Sequence, residues 1–459
     1  MTPARTLVLS IAAATLSVLL ADRAHAQPPK PKEITDDISQ DYVRKAVDTL
    51  ATFGTRHSLS DATSPTRGIG AARQWLKAQF ESFNGSEGKL VAALEEFEPP
   101  VGGRIAKPVK FVNVVAVLPG TMPESAHRRV YVVGHYDSMP SDVMDPNSDA
   151  PGANDDGSGT VAVLAIARAM AARPCEATVV FLCTAGEEQG LIGAKYHAEQ
   201  AAARKETITA VLNNDIVGDP WGPGGDKSRA TPTVIRLFSE GIPRNPTAAQ
   251  LQTIRALAME SDSPSRQLAR YVAEIAALED TVVRPMLVFR LDRFLRGGDH
   301  SAFNEAGFAA VRFTEVDEDY RHQHQTPRIE PGPDGTPVQY GDLPEHVDAE
   351  YLANVARLNA AALVHLANAP AAPSNARIIT AKLEYTTTLR WAANPEPDVA
   401  GYEIVWRQTT DPVWTGVKNV GNMTEATMDL NKDNVFFGVR AFDRDGYRSL
   451  TAFPTAARE

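Results

Sequence analysis

Short apolar segments that fit β-strands alternate with segments of helical periodicity through the middle of this chain, and this alternation restricts the fold more than any other feature. The strand-like segments are residues 111–118, 130–133, 179–183, 208–212 and 309–313, and the helical ones are residues 157–172 and 191–203. Segment 179–183 is apolar throughout, as expected of a strand covered on both faces. We therefore predict an α/β fold, a mainly parallel mixed sheet covered by helices on both faces.

The first 26 residues have the pattern of a signal peptide. Arg5 precedes an apolar stretch over residues 6–20, and Ala24-His25-Ala26 has the small-residue pattern of a cleavage site. The apolar stretch is shorter than the roughly 20 residues that a membrane span requires. We therefore expect an exported protein, secreted or periplasmic, with no membrane span.

The rest of the chain divides into two predicted domains. A Pro-rich linker near Pro370 separates residues 27–369 from residues 370–459, where short strand-like segments alternate with turn signals. About ninety residues of this kind predict a small all-β sandwich. Within the first domain, residues from about 219 to 298 depart from the alternation, and we interpret them as an insertion that either shapes a substrate pocket or only connects its neighbours.

The charge of the chain excludes some partners. The formal net charge is −11 at pH 7. Phosphate backbones and anionic lipids repel such a protein, so we expect no nucleic-acid partner. An acidic chain is compatible with cation binding.

Polar side chains stand where three of the predicted strands end. These segments are His135-Tyr136-Asp137, Gly186-Glu187-Glu188 and Asn214-Asp215. Sites in open α/β sheets lie beyond the carboxyl ends of the strands, so we expect these side chains to meet. Asp155, just before the predicted helix at Gly157, and the cluster Arg321-His322-Gln323-His324 add further ligand types.

These residue types match the needs of a two-metal hydrolase. A pair of zinc ions needs a carboxylate that reaches both ions, further ligands on each ion, and a base that binds neither. Asp155 could bridge, and Asp137 could orient the His135 imidazole. The side chains of Glu187 and Glu188 point in different directions if the two residues lie in a turn. One could then bind metal while the other faces substrate. Singly, each residue has an ordinary structural role, such as capping a helix; together they favour a metal site.

The motifs resemble those of the secreted bacterial zinc aminopeptidases of the M28 peptidase family, which also holds glutamate carboxypeptidases and glutaminyl cyclases. The resemblance extends over roughly residues 40–368. It is carried by residues 134–138, 152–159, 186–191, 213–218, 298–303 and 321–325. The strand-rich segment with Trp391 and Gly401-Tyr402 resembles a fibronectin type III module.

The resemblance implies a role for each site residue. Asp155 would bridge two zinc ions, and Glu187 would be the general base and acid. The other ligands would be His135 and Asp215 on one ion, and Glu188 and His322 on the other. A cis peptide bond between Asp155 and Asp156 is also implied.

One departure from the family pattern leaves the last ligand open. The family's final histidine is usually followed four residues later by an acidic residue. Here Thr326 follows His322 at that distance, and Arg328 follows His324. We prefer His322 as the ligand, with His324 as the alternative.

The resemblance predicts a dizinc aminopeptidase that acts on peptides with a free N-terminus. A carboxypeptidase remains an alternative, because Arg290, Arg293 and Arg296 could bind a substrate carboxylate. A glutaminyl cyclase, with one zinc ion, and a non-catalytic binding protein of the same fold are further alternatives. The C-terminal module could contact a surface, a polymer or the peptidase domain, and its sequence does not decide among them.

Overall fold

The computed structural model of the chain describes residues 28–86 and 88–458, so the predicted signal peptide lies outside the described residues. The helices are α1 (Pro31–Thr35), α2 (Gln40–Ala51), α3 (Gly68–Ser82), α4 (Gly157–Met170), α5 (Ile192–Ala203), α6 (Ala248–Leu257), α7 (Pro264–Leu278), α8 (Asp299–Glu305) and α9 (Ala349–Asn368). Within the described ranges, no helix is both long enough and apolar enough to span a membrane.

The strands of the first domain form one large mixed sheet. They are β1 (Val91–Phe97), β2 (Phe111–Leu118), β3 (Arg128–His135), β4 (Thr178–Thr184), β5 (Thr207–Asn214), β6 (Val234–Ser239), β7 (Arg284–Val288) and β8 (Ala310–Thr314). Their order in the sheet is β1-β2-β4-β3-β5-β8-β6-β7. The central strands β4, β3, β5 and β8 are parallel, whereas β1, β2 and β6 each pair antiparallel with a neighbour. The predicted α/β class is confirmed.

Helices cover both faces of this sheet. Val130 and Val132 of β3 belong to the apolar cluster formed with α2, α4 and α9, whereas Tyr131 and Val133 belong to the cluster formed with α5 and α8. Successive side chains of a strand point to opposite faces, so a strand between two helical layers is apolar at every position. This burial explains the uninterrupted apolar segments in the sequence.

Residues 219–298 do more than connect their neighbours. They contain the helices α6 and α7, which residues 258–263 separate. The same segment also contributes β6 and β7, which extend the sheet beyond β8. These strands are short and of mixed polarity, which is why periodicity did not reveal them.

The C-terminal region consists of two small sheets. Its strands are β11 (Arg377–Ile379), β12 (Thr387–Arg390), β13 (Val399–Gln408), β14 (Gly416–Gly421), β15 (Glu425–Met428), β16 (Val435–Asp443) and β17 (Thr455–Ala457), after a separate hairpin of β9 (Arg328–Pro331) and β10 (Pro337–Tyr340). The sheets, β15-β12-β11-β17 and β14-β13-β16, share one buried apolar cluster that includes Trp391, Tyr402 and Phe437. Two sheets around one core form a sandwich.

Helix α7 and the residues just before it contact this sandwich through ion pairs. Asp262 lies 3.2 Å from Arg270 and 2.7 Å from Arg407 of β13. Arg440 of β16 lies 2.7 Å from Glu274. The segment predicted as an insertion therefore joins the large sheet to the C-terminal sandwich.

Candidate metal centre

The carboxyl ends of the central strands meet at one edge of the large sheet. His135, the last residue of β3, is in register with Thr184 of β4. The turn with Glu187 and Glu188 follows β4, and Asp215 follows β5. Parallel strands thus deliver the predicted side chains to one place, as expected for sheets of this class.

Helix α4 approaches these strand ends closely because of small residues. A Cβ atom on Gly134 would lie 2.7 Å from the backbone of Gly159, and one on Gly159 would lie 2.1 Å from the carbonyl oxygen of Asn214. Larger side chains at these two positions would push the helix away from β3 and β5. The close packing brings the N-terminus of α4 to the site.

Asp156 connects the loops around the site. Its carboxylate accepts hydrogen bonds from the backbone N–H groups of Gly159 (2.9 Å), His135 (3.0 Å) and Ile216 (3.2 Å). It therefore caps α4 and binds the ends of β3 and β5 at the same time. The peptide bond between Asp155 and Asp156 is cis.

Asp155 lies between two imidazoles. Its Oδ1 lies 3.2 Å from Nε2 of His135, and its Oδ2 lies 2.9 Å from Nε2 of His324. Glu188 approaches the same His324 nitrogen to 3.2 Å, and Asp215 approaches the His135 nitrogen to 3.9 Å. The structure therefore brings together potential ligands in two groups that share Asp155.

His322 does not join this cluster. Its Nδ1 lies 3.8 Å from carboxylate oxygens of Asp219 and Asp319, and its ring stacks on His346 with 3.5 Å between the ring centroids. We preferred His322 over His324 as the ligand that accompanies Glu188; in the structure it is His324 that lies beside Glu188. His324 has a φ of 52°, a left-handed turn that the sequence did not reveal.

Asp137 positions both sides of the site. Its Oδ1 lies 3.5 Å from Nδ1 of His135, and its carboxylate accepts the backbone N–H groups of Glu187 (3.3 Å) and Glu188 (3.2 Å). The hydroxyl of Ser58 donates a further hydrogen bond to it at 3.1 Å. Asp137 lies where it can orient the imidazole, and it binds the turn with the two glutamates.

Two residues near the site were missed by the sequence interpretation. Arg312 donates a hydrogen bond of 2.7 Å to Asp215, and Asp342 accepts the backbone N–H of Asp155 at 2.7 Å. Arg312 is a charged residue inside the buried strand β8, which was a signal in the sequence. Asp342 lies in an irregular loop, where no periodic pattern marks it.

The charges of the cluster shift the pKa values of its members. Burial lowers the pKa of His324, but Glu188 and Asp155 outweigh this effect and raise it to about 11. Burial raises the pKa of Asp155, but His324 and His135 bring it well below its ordinary value. Without a metal, protonated imidazoles would supply the positive charge that these buried carboxylates require.

Glu187 faces a cavity in front of the cluster. Burial, with repulsion from Asp215 and Glu188, raises its pKa well above the ordinary value against the opposing charge of His135. The cavity has a volume of about 280 Å³. Its other lining residues include Arg104, Asp155, Glu188, Asp215, Arg293, Arg296, Arg312 and His324.

Comparisons with known proteins identify the family. The model of Peptidase family M28 matches residues 113–235. A probable zinc metalloprotease of Leptosphaeria maculans is 42% identical over 433 residues, which cover 93% of this chain and 98% of that protein. A probable zinc metalloprotease of Pyricularia oryzae is 43% identical over 419 residues, covering 90% of this chain and 82% of that protein.

Solved structures show the same fold at lower similarity. The LapA aminopeptidase of Legionella pneumophila superposes with a TM-score of 0.50 and 18% identity, covering 73% of this chain and 74% of that chain. This likeness supports the fold alone. Because the fungal relatives match over nearly the whole chain, the protein belongs to the zinc metalloproteases of peptidase family M28.

Proposed function

We propose that the protein is a dizinc aminopeptidase that removes N-terminal amino acids from peptides. The observation that carries this proposal is the position of Asp155, whose two carboxylate oxygens face two different imidazoles at 3.2 and 2.9 Å. A carboxylate in this position can bind two ions at once. Each imidazole has a further carboxylate beside it, which makes two ligand groups rather than one.

The residues fit zinc by their chemistry. Imidazole nitrogens and carboxylate oxygens are the ligands of catalytic zinc sites. Nε2 of His135 and Oε1 of Glu188 are buried without hydrogen-bond partners, as expected of atoms reserved for a metal. His135 and Asp215 would hold one ion, Glu188 and His324 the other, and Asp155 both. When bound, zinc activates water and polarises the scissile carbonyl.

Glu187 is the proposed general base and acid. Its carboxylate accepts a proton from the attacking water and later donates that proton to the leaving amine. Glu187 also lies within reach of His135 and Asp215.

A carboxypeptidase is a second candidate, because arginines line the cavity. Arg293 and Arg296 form ion pairs with Glu318 at 2.5 and 2.8 Å, and the Glu318 carboxylate offsets much of their positive charge. Arg104 donates to the backbone oxygen of Glu188 and makes no ion pair within 4.0 Å in the described part of the chain. It could therefore bind a substrate carboxylate.

A panel of peptides tests these alternatives. We expect the zinc-loaded protein to cleave free peptides and C-terminally amidated ones, and to leave N-acetylated ones intact, with two zinc ions per chain. Cleavage of acetylated but not amidated peptides would establish the carboxypeptidase. Cyclisation of N-terminal glutamine with one zinc ion per chain would establish a glutaminyl cyclase. Turnover of no peptide in the presence of zinc would establish a binding protein.

We also propose that the protein is exported, secreted or periplasmic, on the basis of the pattern in residues 1–26. The C-terminal region is proposed to be a fibronectin type III-like module. Its two sheets and shared core support a sandwich. Detection of a mature chain that begins at Gln27, in the medium or the periplasm, tests the export; a full-length chain in the cytoplasm would contradict it.

A further inference from the structure

A second cluster of carboxylates lies between the peptidase domain and the sandwich. Glu176 precedes β4 of the large sheet, whereas Asp398 directly precedes β13 and Asp443 ends β16. One carboxylate oxygen from each residue lies within 4.8 Å of the other two. Glu176 and Asp443 are buried, at 8% and 2% exposure. Both domains therefore contribute charge to one small volume.

No cationic side chain neutralises this cluster directly. In the part of the chain that the structure describes, none of the three carboxylates forms an ion pair within 4.0 Å. The nearby Arg128 donates instead to Ser125 and to the backbone oxygen of Ala369.

The cluster also contains polar atoms without partners. Oδ1 of Asp443 accepts the backbone N–H of Tyr447 at 2.9 Å, but its Oδ2 is buried without a hydrogen-bond partner. Oδ1 of Asp398 is likewise buried and unpaired. Nearly all buried polar atoms in folded proteins have a partner, and an ion that is not shown is one explanation of an exception. A cation bound here would pair with both of these oxygens.

The electrostatics agree with this geometry. Burial, with repulsion from Asp398 and Asp443 and a side-chain hydrogen bond to Asp398, raises the pKa of Glu176 to about 9 against the opposing charge of Arg128. Burial also raises the pKa of Asp443 to about 7. The site thus disfavours three negative charges unless something positive accompanies them.

We propose that Glu176, Asp398 and Asp443 bind a calcium ion that fastens the C-terminal sandwich to the peptidase domain. All three donors are carboxylate oxygens, which calcium prefers, whereas zinc favours sites with nitrogen or sulfur ligands. Calcium takes about 6–8 oxygen ligands in flexible geometry, so backbone oxygens or water would complete its shell. This proposal is independent of the peptidase mechanism.

A calcium titration of the full mature chain tests the proposal. The protein is first saturated with zinc, so that calcium has to bind elsewhere, and is freed of other divalent ions. We expect calorimetry to show one calcium ion per chain, with a Kd of about 1 mM or lower, the range of extracellular modules. The Tm should rise with calcium concentration, because the ion binds only the folded protein. Absence of binding at 10 mM calcium, on the order of ten times the expected Kd, would overturn the proposal.

Isosteric variants locate the ion. Asp443→Asn and Glu176→Gln should each weaken calcium binding about tenfold or more, because each removes a charged ligand from the ion. Asp445→Asn is the matched control, since Asp445 is exposed and lies outside the cluster. An equal loss in the control would show diffuse surface binding and would contradict the site. If one variant fails to fold, the other variant and the wild-type titration still show whether calcium binds at this cluster.

If protons rather than calcium neutralised the three carboxylates, thermal unfolding would give a different result. In that case the Tm would increase as the pH falls from 8 to 6, and calcium would change it at neither pH. This outcome would also overturn the proposal.

Discussion

Two buried clusters of carboxylates in this protein differ in what offsets their charge. The cluster around Asp155 contains two imidazoles, and Arg312 binds its Asp215 at 2.7 Å. The cluster of Glu176, Asp398 and Asp443 has no such partner within 4.0 Å among the described residues. Carboxylates alone therefore do not identify a metal site; the neighbouring donors decide which ion suits it.

The difference in donors has a chemical consequence. Nitrogen and oxygen ligands beside an open cavity suit a catalytic zinc ion, which must keep a position for water or substrate. Oxygen ligands alone, closed between two domains, suit a structural calcium ion.

Glu187→Gln should lower kcat by about 10³-fold while the zinc content stays unchanged, because a general base typically contributes 10²–10⁴-fold. Steady-state kinetics and metal analysis of the same preparation check both parts. Glu188→Gln is the control and should lose zinc. If Glu187→Gln loses zinc as well, Glu187 is a ligand rather than the base.

His324→Ala should weaken binding of one zinc ion by more than the 10–100-fold typical of residues that only support a ligand. His322→Ala should retain both ions, because His322 stacks on His346 away from the cluster. Competition with a chromophoric chelator measures the affinities. Zinc loss in His322→Ala alone would contradict the placement of the two histidines.

Zinc affinity should rise with pH. In the metal-free protein the pKa of His324 is raised to about 11, so its imidazole carries a proton below that value. Zinc binds the neutral imidazole, and the proton must leave first. Each released proton raises the apparent affinity roughly tenfold per pH unit. The slope measured between pH 6 and 8 should decrease in His324→Ala and stay unchanged in His322→Ala.

Without added metal, the two clusters should respond in opposite directions to the loss of one charge. The pKa of Asp155 is lowered by the imidazoles, so its charge stabilises the fold above pH 3.8. Asp155→Asn should therefore lower the Tm at pH 7. The pKa of Glu176 is raised from 4.5 to about 9, so its ionisation costs stability as the pH rises between these values.

Glu176→Gln should thus raise the Tm by about 1–2 °C at pH 8, and less at pH 5. Thermal unfolding of chelator-treated protein measures both variants. A lower Tm for Glu176→Gln at pH 8 would show that a neighbouring group stabilises the charged Glu176 carboxylate. The two clusters would then not differ in what offsets their charge.

Much of the fold and of the site could be predicted from the sequence, because both follow from local patterns. The strand over residues 111–118 and the helices beginning near Gly157 and Leu191 were recognisable, since strands between two helical layers are apolar at every position. Residues that follow such strands meet at one sheet edge, which made His135, Glu187, Glu188 and Asp215 candidates.

The sequence by itself determined the α/β class, the family motifs and the edge of the sheet where the site lies, because these depend on residues close together in the chain. Only the tertiary structure decided that His324 rather than His322 faces Asp155, because a left-handed turn in an irregular loop sets that direction. Only the tertiary structure brought Glu176 to Asp398 and Asp443. Glu176 lies more than 200 positions before the other two in the chain, and contact at that separation follows from domain packing.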